Sequence, residues 1–206
     1  MRKIKRSSYW NNIYSHTHSE SLGWYETDFS ISIELINQMD LPDKPVTFIC
    51  GCGTSLLPKV LISMNHSLII NDISTVALEK LKLLIDSNLV YLWLDQDIAK
   101  PLELNDKSID LWVDRAVLHF LTDQYQINQY FLNIKNCVRS GGWVHLAEFS
   151  KKGAAKCAGL DVRRYSEEEL SIGLGNDFNL ITSKNYTYTN PDGAQRPYLY
   201  TSFKRR

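Results

Sequence analysis

Two linked stretches constrain this chain most: Val46-Thr-Phe-Ile-Cys-Gly-Cys-Gly-Thr-Ser-Leu-Leu57, and after it Leu68-Ile-Ile-Asn-Asp-Ile-Ser74. The first reads as a buried strand, a glycine loop and the start of a helix, the second as a strand ending at Asp72. Asp72 lies about twenty residues past the loop, where a carboxylate reaches the ribose of a nucleoside laid over the glycines. Two strands joined through a helix run parallel, so the unit implies an α/β domain with a nucleotide-type cofactor site at its front.

The rest of the chain continues the alternation. Phe29, Ile33, Ile36 and Met39 have helical spacing behind Asp28, an expected N-cap, before Leu41-Pro-Asp-Lys-Pro45 breaks the chain. Strand 46–50 leads to a helix near 55–64, and strand 67–71 to a helix with Ala77, Leu78, Leu81, Leu84 and Ile85 on one face behind Ser74. Strands follow at 89–95, 109–113 and 143–149, the last after the turn Ser140-Gly-Gly142, with a helix around 122–138 between. Ser166-Glu-Glu-Glu169 fits a capping box opening a short helix. Residues 178–187 and 196–204 read as strands joined by the Asn190-Pro-Asp-Gly193 turn. The expectation is a Rossmann-like, doubly wound, seven-stranded α/β sheet, mostly parallel and closed by an antiparallel hairpin. Residues 1–206 form one domain in this reading: 46–206 are the core, and 1–27, with Tyr9, Trp10, Tyr14, Trp24 and Tyr25, an irregular lead-in that doubles as a lid.

The bulk numbers exclude several function classes. Lys+Arg and Asp+Glu balance at 23 each, so no global charge draws the protein to nucleic acid or an anionic membrane. The ends are basic (Arg2, Lys3, Lys5, Arg6; Lys204, Arg205, Arg206) and read as solvated tails. Ser7-Ser-Tyr-Trp-Asn-Asn12 is polar where a signal peptide needs an apolar segment, and no apolar run is long enough to span a bilayer. Cys50, Cys52, Cys137 and Cys157 form neither a CxxC pair nor a disulfide framework. The expectation is a cytoplasmic protein with reduced thiols and no metal.

The glycine series narrows the cofactor. A dinucleotide loop places a third glycine where this chain has Leu56, and the lysine of a Walker-type loop is missing. With Asp72, and with Asp114 after a further strand, the chain resembles the class I S-adenosylmethionine-dependent methyltransferases, in a compact, single-domain form. Gly51-Cys-Gly-Thr-Ser55 is similar to their first motif and Asn71-Asp-Ile-Ser74 to the end of their second strand. Asp95-Gln-Asp-Ile98 is similar to their adenine-bracketing segment, and Ser108-Ile-Asp-Leu-Trp-Val-Asp-Arg-Ala-Val-Leu-His-Phe-Leu121 to their fourth motif. Val138-Arg-Ser-Gly-Gly142 resembles the turn before their fifth strand, with Ser140 in place of the usual proline.

The resemblance implies S-adenosylmethionine as cofactor and S-adenosylhomocysteine as product. Gly51, Cys52 and Gly53 bring backbone against the methionine part, Asp72 with Ile73 takes the ribose hydroxyls, and Asp97 with Ile98 takes adenine. Asp114 and Arg115 stand beside the sulfonium. One departure is Ile49, where the family usually carries an acid two residues before the first glycine. Methyl transfer from a sulfonium is an in-line displacement in which positioning carries much of the rate. Asp114, His119 and Tyr25 are the candidate catalytic groups, with Glu148 a further candidate base and Trp24 part of a lid. Asp114-Arg-Ala-Val117 lacks the [DN]-P-P-[YF] of base-amine methyltransferases, and neither Cys137 nor Cys157 follows a proline as in the cytosine C5 enzymes, so a small molecule or a protein side chain is the expected acceptor. The alternative is a non-catalytic protein that binds S-adenosylmethionine or S-adenosylhomocysteine.

Overall fold

A computed structural model describes residues 5–206, so Arg2 and Lys3 of the basic start lie outside the described residues. Five parallel strands carry the sheet: β1 (Val46–Cys50), β2 (Ser67–Asn71), β3 (Val90–Leu94), β4 (Ile109–Arg115) and β5 (Val138–Phe149). A two-residue pair, β6 (Lys156–Cys157) and β7 (Leu160–Asp161), lies apart from it. The chain closes with β8 (Phe178–Thr189) and β9 (Gln195–Arg205), giving the order β3-β2-β1-β4-β5-β9-β8. β9 is antiparallel to both neighbours, so the expected mixed edge is present.

Side chains alternate between the two faces of the sheet, and both faces are buried. Phe48, Cys50, Ile69 and Trp112 face one side, where they pack with α5 (Gln124–Cys137) and α6 (Glu167–Leu174). Ile49, Leu68, Ile70, Leu111 and Val113 face the other, against α3 (Leu57–Ser63) and α4 (Thr75–Lys82). With both faces covered, the strands are apolar throughout rather than alternating with polar residues. Phe48 stacks on Trp112 at 4.2 Å in the larger cluster, and each such buried side chain contributes about 1.5–3 kcal/mol. The Ser166–Glu169 capping box forms at the start of α6 as expected.

Three expectations need correction. The lead-in is not irregular: α1 (Arg6–His16) is a helix lacking a side-chain N-cap or a sharp apolar face, and tertiary contacts hold it. Its Asn11 Oδ1 accepts from Ser74 Oγ at 2.7 Å, and Lys80 Nζ donates to the Tyr14 carbonyl. The helix expected over 29–39 is shorter, α2 (Ser30–Ile36); its N-cap position is Phe29, while Asp28 accepts from the Ser30 amide at 2.9 Å just outside. Ser140-Gly-Gly142 does not precede β5 but lies inside it, where the register against β4 jumps from Ile109–Val138 to Leu111–Trp143. No helix among the described residues is long and apolar enough to cross a membrane.

Candidate functional site

Because β1 to β4 are parallel, their carboxyl ends lie along one edge, and the order changes direction between β1 and β4. Open α/β sheets bind ligands in the crevice at that switch point. A cleft lies there, bordered by Gly51, Asn71, Asp72, Ile73, Asp97, Ile98 and Arg115. A second lobe continues past Gly51 to Cys52, Thr54 and Ser55 and is walled by Leu22, Trp24, Tyr25 and Glu26.

The glycine loop forms the floor. Gly51 and Gly53 have φ of 52° and 57°, the left-handed region that side chains disfavour. Space excludes a side chain as well: a Cβ at Gly51 meets Val117, and one at Gly53 meets the Tyr14 hydroxyl. The Cys52 amide donates to the Asn71 carbonyl at 2.9 Å and ties the loop to the end of β2. Burial pushes the Cys50 and Cys52 thiols well above the usual range, so both are packed, unreactive groups.

At the nucleoside end, Asp72 accepts from the Gly53 amide through Oδ2 at 2.7 Å and from the Ser74 amide through Oδ1 at 2.8 Å. It thus orders the loop and caps the turn into α4. Burial nevertheless raises its carboxyl to about 6, against the pull of the Ser74 and Gly53 amides. A desolvated carboxylate on a cleft wall has lone pairs left for donors such as a ribose diol. Asp97 accepts from the Ala99 amide at 3.0 Å and pairs with Arg6 Nη1 of α1 at 3.2 Å. Asn71 Nδ2 bonds the Leu94 and Gln96 carbonyls, fixing the ends of β2 and β3 to each other.

The end of β4 splits two neighbouring charges. Ala116 has φ of 67°, a left-handed conformation rare for a residue with a Cβ, while its amide donates to the Ala147 carbonyl at 3.0 Å. Arg115 faces the cleft. Its Nη1 donates to the Trp24 carbonyl at 3.0 Å, its Nε lies 3.1 Å from Glu26 Oε2, and the Tyr188 and Tyr198 rings flank the guanidinium at 4.9 and 5.0 Å. Its Nη2 is buried without a partner.

Asp114 faces the opposite way, which corrects the expectation that it stands beside the reacting centre. It is fully buried, accepts from the Val117 and Leu118 amides at 3.0 and 3.2 Å, and receives the Tyr130 hydroxyl at 2.6 Å. Burial and the neighbouring Glu148 raise its carboxyl well above the carboxylate range. Glu148 is also buried; burial raises it to about 8, and it accepts from the His119 amide at 3.1 Å. His119 is the second correction: it is fully buried, and burial lowers its imidazole to about 3. His119 Nδ1 lies 2.9 Å from Glu148 Oε2 without hydrogen-bond alignment, and both ring nitrogens lack partners. Asp114, His119 and Glu148 line neither lobe of the cleft, and burial keeps the two carboxyls protonated and the imidazole neutral. Tyr25 does line the second lobe, its carbonyl held by the Tyr188 hydroxyl.

Sequence reasoning named a lid in residues 1–27 but missed the helix that carries it. Trp10 and Tyr14 of α1 meet Trp24 at 5.7 and 6.2 Å, and Trp10 meets Phe120 at 4.9 Å, enclosing the cleft in aromatic rings. The Trp10–Tyr14 spacing of four residues was the available signal. Burial, followed by the Asp72 charge, raises the Tyr14 hydroxyl, so it stays protonated as a donor. Glu26 and Arg6 were missed as well, since neither belongs to a motif.

These residues fit an S-adenosyl amino acid. The two left-handed glycines bring bare backbone to the cleft floor, Asp72 and Asp97 offer acceptors at the nucleoside end, and Arg115 carries an orphaned buried donor at the other. Residues 49–146 match the family model described as a methyltransferase domain. No curated protein sequence matches the chain. Among solved structures, an S-adenosylmethionine-dependent methyltransferase from Anabaena variabilis is 16% identical with a TM-score of 0.76, covering 97% of this chain and 93% of that one. A protein reported with the conversion of a disulfide bond into a thioacetal group during echinomycin biosynthesis is 14% identical, TM-score 0.75, covering 97% and 92%. The Burkholderia thailandensis 1,6-didemethyltoxoflavin-N1-methyltransferase, with bound 1,6-didemethyltoxoflavin and S-adenosylhomocysteine, is 15% identical, TM-score 0.63, covering 97% and 79%. At such identities the likeness is one of fold. Residues 49–146 thus match a methyltransferase domain, in a chain that shares the fold of solved S-adenosylmethionine-dependent methyltransferases over nearly its whole length.

Proposed function

We propose that this protein transfers the methyl group of S-adenosylmethionine to a small molecule, by in-line displacement, at a nucleophile that attacks through a lone pair already free, any N–H proton leaving to solvent after transfer. The convergence of the glycine loop, Asp72 and Asp97 in one cleft beneath an aromatic roof carries the reading. When bound, the cofactor supplies a methyl group activated by its sulfonium. Asp72 accepts the ribose hydroxyls while holding the Gly53 amide, and Asp97 takes the adenine amino group between Ile73 and Ile98. Trp10, Trp24 and Phe120 exclude water and orient the acceptor, the main contribution such a reaction needs.

The acceptor chemistry follows from what the cleft lacks. Among the described residues, Asp114, His119 and Glu148 are walled off, Asp72 already holds two amides, and the Tyr14 hydroxyl keeps its proton. A thiolate or a neutral amine needs no base, whereas an alcohol does. The roof of α1 over the cleft favours a small acceptor over a protein side chain, as do the small-molecule settings of the Burkholderia and echinomycin proteins.

The test is calorimetric titration with S-adenosylmethionine and S-adenosylhomocysteine, then a screen of thiols, amines and alcohols with labelled methyl groups. Micromolar binding that Asp72→Ala weakens, with transfer to thiols or amines, supports the reading; no binding by folded protein refutes it. A second reading, a cofactor-binding protein without turnover, draws on Ile49, which is buried in the apolar cluster behind the loop. Tight binding with no transfer to any acceptor class favours it.

A further inference from the structure

The amino-acid end of the cofactor carries an ammonium and a carboxylate, and at position 49, where the resembled family supplies an acid, this chain has a buried isoleucine. In the lobe beyond the glycine loop, Glu26 is the one acid and Arg115 the one permanent cation. Their side chains are only 7% and 12% exposed, and they pair at 3.1 Å. A buried pair of this kind is weakly justified by stability alone, because desolvating both charges offsets most of their attraction.

The pair is also incompletely satisfied. Arg115 Nε and Nη1 have partners in Glu26, Tyr200 and the Trp24 carbonyl, but Nη2 has none although it is buried. Glu26 engages Arg115 through Oε2, has no hydrogen bond through Oε1, and lines the lobe. One free donor on a fixed cation and one free acceptor on a fixed anion, in the same lobe, are the complement of an α-amino acid zwitterion.

We propose that Glu26 and Arg115 together clasp the α-amino acid end of the cofactor, Glu26 taking the ammonium and Arg115 Nη2 the carboxylate. The proposal rests on the cofactor reading above. Glu26 then supplies, from the segment between α1 and α2, the charge that Ile49 does not. Because that segment also carries Trp24 and Tyr25 in the wall, filling the clasp fastens the lead-in over the cleft.

The experiment compares two ligands by titration calorimetry: S-adenosylhomocysteine, which has the amino-acid end, and 5′-methylthioadenosine, which keeps the adenosine and sulfur but lacks that end. Glu26→Gln keeps the shape and removes the charge. The expected result is S-adenosylhomocysteine binding at least tenfold weaker, with 5′-methylthioadenosine within twofold of wild type, which also shows the variant folded. Asp72→Ala weakens both ligands. Unchanged S-adenosylhomocysteine affinity in Glu26→Gln, or equal weakening of both ligands, overturns the clasp while leaving the cofactor reading intact. Binding of neither ligand by the wild-type protein removes the cofactor reading, and the clasp with it.

Discussion

Asp114 and Arg115 are neighbours at the end of one strand, yet they belong to different parts of the molecule. Arg115 looks forward into the cleft; its nearest charge is Glu26, and burial does not neutralise it, because the adjoining tyrosines and Glu26 hold its pKa above the usual arginine value. Asp114 looks backward into a dry cluster with Tyr130, Glu148 and His119, where burial keeps carboxyls protonated and the imidazole neutral. A charged side chain at a strand end is therefore not by position a catalytic group. Its facing decides whether it meets ligand or serves as an internal strut.

The most severe way to break this contrast is to remove the strut. Asp114→Ala orphans the Tyr130 hydroxyl and the Val117 and Leu118 amides. Each buried group left unsatisfied costs about 1–3 kcal/mol, so the expected loss is about 3–4 kcal/mol in urea unfolding. Asp114→Asn keeps one acceptor and loses less than half of that. A loss below about 1 kcal/mol for the alanine variant places Asp114 outside the structural core and reopens a role at the cleft.

The next effect is on the pH dependence of stability. Glu148 is raised from about 4.5 to about 8, so the folded form keeps a proton that the unfolded chain releases. Its contribution is fully present below about pH 4.5 and lost as pH rises toward about 8. His119 and His145 act oppositely, but their lowered values of about 3 and 4 confine their effect to below about pH 6.5, and Asp72, at about 6, has nearly finished titrating there. Between about pH 6.5 and 8, stability should fall, with Glu148 contributing up to about 1.4 kcal/mol per unit, and Glu148→Gln should flatten that slope. The groups facing Glu148 are Asp114, His119, Tyr165 and Cys50, and Asp114 adds in the same direction. A rising stability over this window in the wild type contradicts a protonated cluster.

These contrasts show which parts of the site were legible in sequence. Asp72, Asp97 and the two glycines were, because a parallel sheet puts its strand ends on one edge and each residue follows its strand by a fixed offset. The helix under the lid aromatics was not: α1 lacks a strong apolar stripe, and its Trp10 and Tyr14 are buried by partners more than a hundred residues away or in an adjacent loop. The facing of Asp114 and His119 was hidden for a different reason. Asp114 faces away from Arg115 because neighbouring residues of one strand do, whereas His119 follows the left-handed turn at Ala116, which alanine does not advertise as glycine would.

A smaller effect tests the forward-facing member. Arg115→Lys keeps the charge but loses the planar fork that reaches Glu26, Trp24 and the cleft and that stacks between Tyr188 and Tyr198. S-adenosylhomocysteine affinity should fall about tenfold, about 1.4 kcal/mol, with a far smaller change in unfolding midpoint than Asp114→Ala produces. If the lysine variant binds normally, charge alone suffices and the guanidinium geometry has no role in binding.

The smallest effect concerns the residue that separates the two. Ala116 holds φ at 67°, at a cost of about 1–2 kcal/mol for a residue with a Cβ. Glycine relieves that strain but also gives the unfolded chain more freedom, which returns about 0.4–1 kcal/mol. Ala116→Gly should therefore leave stability unchanged or raise it by up to about 1.6 kcal/mol. Ligand affinity should move the other way, falling a few-fold, because a looser turn no longer fixes Arg115 on the cleft side while Asp114 is anchored behind. Measured together, the urea midpoint and the calorimetric affinity separate two explanations. If both improve, the strain is incidental; if stability holds while affinity drops, the left-handed turn at Ala116 is what keeps the two neighbouring charges apart.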